Sequence, residues 1–133
     1  MKYLMTHLVR FFFVILMMFS FVGITVAQEE DAEPTFSATV TGLKVRSLSQ
    51  KGKAIEQLVL FKNPQKIVIL QALLDGHLFE VRDGGRVIIA ESKDEKHSIV
   101  DAENGKHIGL VDSSAIKKIK INNRLRSRVR SLI

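Results

Sequence analysis

Short apolar runs separated by turn-forming residues are the feature of this sequence that most restricts its fold. The runs are five to seven residues long. They are rich in Val, Ile and Leu, and the β-branched residues Val and Ile favour half-buried strands. Two separations, Asp83-Gly84-Gly85 and Glu103-Asn104-Gly105, are hairpin signals, because Gly and Asn tolerate the positive φ of tight turns. Repeated short strands with such turns predict a mainly β fold, an antiparallel barrel or sandwich.

Nine strands are predicted from these runs. They are FSATV (36–40), GLKVR (42–46), IEQLVLF (55–61), KIVIL (66–70), HLFEVR (77–82), RVIIAE (86–91), HSIVDA (97–102), KHIGLV (106–111) and KKIKI (117–121). Within TGLKVRS (41–47), Leu43 and Val45 alternate with Lys44 and Arg46, which is the period of a strand with one buried face. We therefore expect this stretch to be a scaffold strand whose two charges face solvent.

The N-terminus has the layout of a secretory signal peptide over residues 1–27. Lys2 and Arg10 give a basic start, the apolar run of 16 residues spans 11–26, and the small residue Ala27 offers a cleavage site. Cleavage predicts export to the periplasm or cell envelope, with residues 28–35 as an acidic linker. The alternative is an uncleaved membrane anchor, because about 17 apolar residues can span a bilayer. The chain has no Cys, which excludes a lipidated cysteine and a disulfide framework.

The net charge of +6 is concentrated at the C-terminus. Residues 28–116 carry 11 basic and 14 acidic side chains, whereas residues 117–133 carry seven basic side chains and no acid. Within that segment Ile121, Leu125, Val129 and Leu132 share one helical face. The spacing predicts an amphipathic basic helix over 122–133, with Asn122 or Asn123 as its N-cap.

This C-terminal segment is the candidate binding element. It could lie on an anionic bilayer, to which each nearby basic residue contributes about 1 kcal/mol. It could also bind nucleic acid, although export would disfavour this. Alternatively, its apolar stripe could pack on the chain's own domain or on a second copy of the chain. The residues predicted to bind an anionic surface are Lys117, Lys118, Lys120, Arg124, Arg126, Arg128 and Arg130.

Two parts of the sequence resemble the bacterial SH3-like domain. ATVTGLKVRS (38–47), followed by KAIEQL and KIVIL, is similar to the opening of that family, which has an LNVRS-type strand. Its closing hairpin and turn resemble Asn104-Gly105-Lys106, Gly109-Leu110-Val111 and Ser113-Ser114-Ala115-Ile116. The resemblance covers about residues 38 to 116, with a longer middle, Gln71 to Lys96, that holds a hairpin of its own.

The resemblance implies a small SH3-like antiparallel barrel with an inserted hairpin over residues 36–121. In exported proteins such barrels bind cell-wall peptides or glycans. Leu110 and Ala115 stand where the family carries aromatic side chains, and these are the usual platforms for such ligands.

Two polar groupings are candidates for chemistry. His97, Asp94, Glu95, Asp101 and Glu103 contain metal-ligating residue types, but their spacing fits no specific site, and we interpret them as the charged exterior of a hairpin. His97 and His107 flank the Asn-Gly turn and could face each other across it, which we interpret as an ordinary polar cross-strand pair.

The common catalytic motifs are missing from the sequence. It contains no Cys nucleophile, no G-x-S-x-G elbow and no H-E-x-x-H pair. The predicted function is therefore a non-catalytic, cofactor-free and metal-free exported module that binds an envelope component or an envelope protein. The alternatives are an assembly protein that oligomerises through the C-terminal apolar stripe, and a cytoplasmic nucleic-acid binder if the first segment is not an export signal.

Overall fold

A computed structural model describes residues 33–133 of the chain, so the predicted signal peptide and most of the predicted acidic linker lie outside the described residues. Residues 33–133 form four α-helices, a short 3₁₀ helix and a five-stranded antiparallel sheet. In chain order they are α1 (Phe36–Gly42), α2 (Leu48–Leu60), α3 (Gln65–Asp75), β1 (Leu78–Val81), β2 (Val87–Lys93), β3 (Lys96–Asp101), β4 (His107–Val111), the 3₁₀ helix (Ser113–Ala115), β5 (Ile116–Lys118) and α4 (Asn123–Arg130).

Helices α1 and α2 replace the predicted strands 36–40 and 55–61, and the connection between the two helices replaces the predicted strand 42–46, so these three predictions are wrong. The reason is visible at the helix starts, where the Thr35 and Ser47 hydroxyls accept hydrogen bonds from the backbone N–H groups three residues further on. Such N-caps satisfy amide donors that a helix start leaves free. In α2 the buried residues Ala54, Ile55 and Leu58 recur with helical spacing, which outweighs the strand preference of the run's β-branched residues.

Helix α3 replaces the predicted strand KIVIL, and this prediction is also wrong. Ile69, Leu70 and Leu73 are buried, whereas Ile67 and Val68 are about half exposed, so the run has the period of a helix rather than the alternation of a strand. Gly76 ends the helix by adopting a left-handed conformation with φ of 76°, which a residue with a side chain rarely adopts.

The stretch TGLKVRS ends α1 and leads into α2 instead of forming a strand. Leu43 is fully buried in the core, as expected, but as the C-cap of a helix. Lys44 does not simply face solvent, because its Nζ donates a hydrogen bond of 2.9 Å to the carbonyl of Gly85 in the β1–β2 turn. The stretch is therefore a scaffold segment that ties the helical layer to the sheet.

Both predicted hairpins are confirmed. The sheet order is β4-β3-β2-β1-β5, with β1–β2 joined at Asp83-Gly84-Gly85 and β3–β4 joined at Glu103-Asn104-Gly105. Gly84, Gly85 and Gly105 all have positive φ, as these turns require. The last strand, β5, is shorter than predicted and pairs with β1.

The predicted antiparallel sheet is present, so the fold-class prediction is confirmed in part. The sheet is not a closed barrel, and the fold is less β-rich than predicted because helices fill the first part of the domain. Its edge strands, β4 and β5, lie at opposite ends of the strand order. One face, including Leu78, Val87 and Ile89, joins the helices in the main core. Alternate residues on the other face, including Ile88 and Ile99, form a second and smaller apolar cluster.

Helix α4 confirms the prediction of a C-terminal amphipathic helix. Its N-cap is Asn122, whose side-chain oxygen accepts a hydrogen bond of 2.9 Å from the Leu125 N–H. Leu125 and Val129 are buried in the main core, and Ile121 and Leu132 pack against it. The apolar stripe is thus covered by the chain's own domain, which was one of the arrangements that the sequence left open.

Candidate functional site

The candidate site is built around α4, which lies against both α2 and α3. A close approach between helices is possible because Gly52 has no side chain: a Cβ at this position would lie 3.3 Å from Cδ2 of Leu125. Gly in a helix interior costs about 1 kcal/mol relative to Ala. We attribute its presence to the packing of α4, which brings the basic segment onto the helical layer.

Arginines on the two flanks of α4 fasten the helix to its neighbours. Arg128 donates from Nε and Nη2 to Oε1 of Glu56 on α2, at 3.2 and 2.9 Å. Arg126 donates from Nη1 to the Leu74 carbonyl near the end of α3, at 2.7 Å. A cation at this position suits the free carbonyls and the negative end of the helix dipole. These two arginines, both predicted to bind an anionic surface, already hold intramolecular partners.

Two lysines of the predicted set lie on β5. Lys117 forms an ion pair with Glu80 at 3.4 Å. The Nζ of Lys118 lies 6.0 Å from the centre of the Phe79 ring, at the outer limit of a cation–π contact. Both side chains are exposed, so each contact is weak in water.

The remaining three predicted residues, Lys120, Arg124 and Arg130, are exposed and make no side-chain hydrogen bond or ion pair with any residue from 33 to 133. They lie after β5, at the start of α4 and at its end. This part of the surface is therefore positively charged and uncompensated within the described part of the chain. Such a surface attracts anions at long range and loses that attraction as salt is added.

A buried lysine, which the sequence reasoning missed, supports this segment from beneath. Lys51 on α2 is only 5% exposed, and its Nζ donates a hydrogen bond of 2.6 Å to the carbonyl of Lys120. Burial lowers the pKa of Lys51, against the raising effect of Glu80 and with a smaller lowering effect from Lys117. The signal in the sequence was its position three, four and seven residues before Ala54, Ile55 and Leu58, on the apolar face of α2.

A groove also runs between α2 and α4, and no sequence pattern indicates it. Its larger part has a volume of about 700 Å³ and a smaller adjoining part has about 460 Å³. Both parts share Lys53, Glu56 and Arg128 as lining residues. Leu48, Gly52, Arg124 and Leu125 line the larger part, and Leu60 and Leu132 line the smaller part. The groove offers apolar surface between positively charged edges, which suits an acidic amphipathic ligand better than a neutral sugar.

The histidines do not face each other across the β3–β4 hairpin, so that interpretation is wrong. His97 pairs in register with Val111, while His107 pairs with Val100. A register shift at Ile99/Val100 places an extra residue in β4. His97 Nε2 lies 3.0 Å from Ser113 Oγ instead, and His107 Nε2 lies 3.2 Å from Ser98 Oγ.

The acidic residues of the same region serve the turns. Asp101 accepts a hydrogen bond of 2.8 Å from the Glu103 N–H and lies 3.7 Å from Arg86. Asp94 lies between β2 and β3 with φ of 57°. Among residues 33–133 no group of three or more His, Asp and Glu side chains is arranged to hold a metal ion.

Comparison with protein-family models, curated proteins and solved structures finds no match for this chain. In the region from Glu33 to Ile133, none of the helices has the length and apolar character needed to cross a membrane. The geometry and charge of the surface around α4 are therefore the observations from which a function can be inferred.

Proposed function

We propose that the chain is an exported, non-catalytic binding module with an SH3-like sheet, located in the periplasm or cell envelope and attached to anionic surfaces through its basic C-terminal segment. The observation that carries this proposal is a set of three exposed basic side chains without partners among residues 33–133: Lys120 just before α4, and Arg124 and Arg130 on α4, which is itself docked on the domain. A docked helix holds its charges in fixed positions, so binding does not require the helix to fold first. Its partner is a cell-wall or envelope component or an envelope protein.

The form of attachment follows from the same arrangement. Because Leu125 and Val129 are buried in the core, they are not free to enter a bilayer. The segment therefore contributes electrostatic attraction and not apolar insertion. Binding of this kind is reversible and salt-dependent, with about 1 kcal/mol for each basic residue close to the anionic surface. For three residues this corresponds to about a hundredfold in affinity.

The test measures binding of the full chain to phosphatidylglycerol vesicles and to phosphatidylcholine vesicles at low and high salt. We expect binding to the anionic vesicles alone, weakened by salt. The triple variant Lys120→Gln, Arg124→Gln and Arg130→Gln is expected to lose about a hundredfold in affinity. Arg126 and Arg128 stay unchanged, because their loss would break contacts inside the domain.

A matched control removes the same number of charges elsewhere. Lys93, Lys96 and Lys106 are exposed, lie in the strands and turns of the sheet, and make no side-chain hydrogen bond or ion pair to residues 33–133. Changing all three to Gln alters the net charge equally. If the control loses as much affinity as the test variant, only total charge matters and the proposed attachment surface is wrong.

A further inference from the structure

The groove between α2 and α4 has the features of a site for a protein segment. Its floor and ends are apolar: Leu125 lies beneath it, Leu48 is 42% exposed and Leu60 is 82% exposed. An exposed leucine at each end of one helix is not needed for the fold, since neither side chain belongs to the core. Leu48 and Leu60 are separated by about 18 Å along α2, which is the length of about three helical turns.

The charge at the edges of the groove is unbalanced. Three basic side chains, Lys53, Arg124 and Arg128, line it against one acidic side chain, Glu56. Glu56 is already paired with Arg128 at 2.9 Å. Lys53 and Arg124 make no ion pair with any described residue, so an incoming carboxylate would meet two uncompensated cations on opposite edges.

The walls of the groove determine the conformation that a ligand can take. Both walls are helices, whose backbone N–H and C=O groups are bonded within the helix, so they offer no edge to which an extended peptide could pair. An extended peptide would leave its own backbone groups without partners on this side. A helix satisfies its backbone internally and can lay an apolar stripe between two charged edges.

We propose that this groove binds an acidic amphipathic helix of a partner protein. Its apolar stripe would contact Leu48, Leu125 and Leu60, and its carboxylates would pair with Lys53 and Arg124. The inference rests on the proposed function, since it names the class of partner that the binding module recognises. The two proposals share Arg124 but otherwise use different residues, because Lys53 and the leucines take no part in attachment to vesicles.

The test uses synthetic peptides of about 14 residues, long enough for the three turns that the groove accommodates. One peptide carries leucines at helical spacing and glutamates elsewhere, a second replaces the glutamates with lysines, and a third scrambles the first. Fluorescence anisotropy with the full chain is expected to show binding of the first peptide alone. Equal binding of the glutamate and lysine peptides, or no binding of the first, would overturn the proposal.

Two variants locate the site. Ser49→Trp adds a ring at an exposed position that lines the larger part of the groove, and we expect it to abolish peptide binding without changing the net charge. Lys53→Glu is expected to weaken binding about fivefold or more, as for reversal of an exposed ion pair. Lys96→Glu, at the start of β3, is the charge-matched control and is expected to bind normally. Thermal melting of each variant verifies that it is folded.

The two proposals fail separately in this design. Ser49→Trp retains every basic residue, so its binding to phosphatidylglycerol vesicles is expected to equal that of the wild type. If the wild type does not bind anionic vesicles, the proposed attachment is wrong. If it binds vesicles but not the acidic peptide, only the proposed role of the groove is wrong. A concentration-dependent dimer that Ser49→Trp abolishes would assign the groove to a second copy and overturn the proposed partner.

Discussion

Truncation of Leu125 tests whether α4 is a structural part of the domain. The side chain is 8% exposed and belongs to the main core, where it packs over Gly52. Leu125→Ala removes three carbon atoms, which at about 0.8 kcal/mol each gives a transfer term of about 2.4 kcal/mol. The cavity would open toward the groove, where water can enter, so the total is expected at the lower end of the usual range, about 2–3 kcal/mol.

The expected loss is large compared with the stability of a domain of this size. About 2–3 kcal/mol would lower the Tm by roughly 10 °C or more, because 1 kcal/mol shifts a domain of this length by about 4–8 °C. Thermal and urea unfolding of the full chain, followed by circular dichroism, measure the change. Arg130→Ala is the control on the same helix, exposed and unpartnered in the described residues, and is expected to leave the Tm within about 2 °C.

Two results would contradict the packing of α4 on its own domain. If Leu125→Ala left the Tm unchanged, α4 would not be packed on the domain as described. If the wild-type Tm rose with protein concentration, and the variant lost both that rise and an oligomeric mass, the stripe would be an interface between copies. The assembly hypothesis drawn from the sequence predicts this second pattern, whereas a buried stripe predicts a concentration-independent Tm.

Two further predictions use other parts of the chain. Burial lowers the pKa of Lys51 in the folded chain, whereas in the unfolded chain the pKa of this lysine is near 10.5. The folded chain therefore binds the ammonium proton of Lys51 less tightly than the unfolded chain does. The free energy of unfolding of the wild type relative to Lys51→Met is therefore expected to rise with pH through the folded pKa up to that value, by at most about 1.4 kcal/mol per pH unit. Urea unfolding of both proteins from neutral pH to about pH 10 measures this difference, and a constant or falling difference contradicts the expectation. The intact mass of the protein recovered from an envelope fraction is expected to begin at Gln28; a full-length mass would instead favour the uncleaved anchor.

The parts of the fold that local signals specify were predictable. The Gly-containing turns at Asp83-Gly84-Gly85 and Glu103-Asn104-Gly105 require positive φ, and few other structures need that chemistry at these positions. The helix after Asn122 was also predictable from local signals, because an N-cap residue precedes an apolar stripe with helical period.

The helical layer was not predictable from local signals, because a short apolar run fits both the period of a helix and that of a strand. KIVIL is rich in β-branched residues, yet it lies inside α3 between Pro64 and Gly76, and tertiary packing overrides its strand preference. The caps Thr35 and Ser47 were the overlooked signals. The groove was not predictable because it depends on two helices, α2 and α4, that are far apart in sequence, and the sequence pattern predicts a strand in the second half of α2.

The geometry of α4 explains how one short helix can serve a structural and a binding role together. At 100° per residue, Leu125 and Val129 share the inward face, Arg124 and Arg128 share the flank toward α2, and Arg126 and Arg130 share the opposite flank. Each flank holds one arginine with an intramolecular partner and one that has no partner among residues 33–133. The buried Leu125 and Val129 and the part-buried hydrogen bond of Arg126 fix the orientation of the helix, so Arg124 and Arg130 project from defined positions. The Arg128–Glu56 pair is exposed and adds little. A change to Arg126 should therefore alter stability and binding together, whereas a change to Arg124 or Arg130 should alter binding alone.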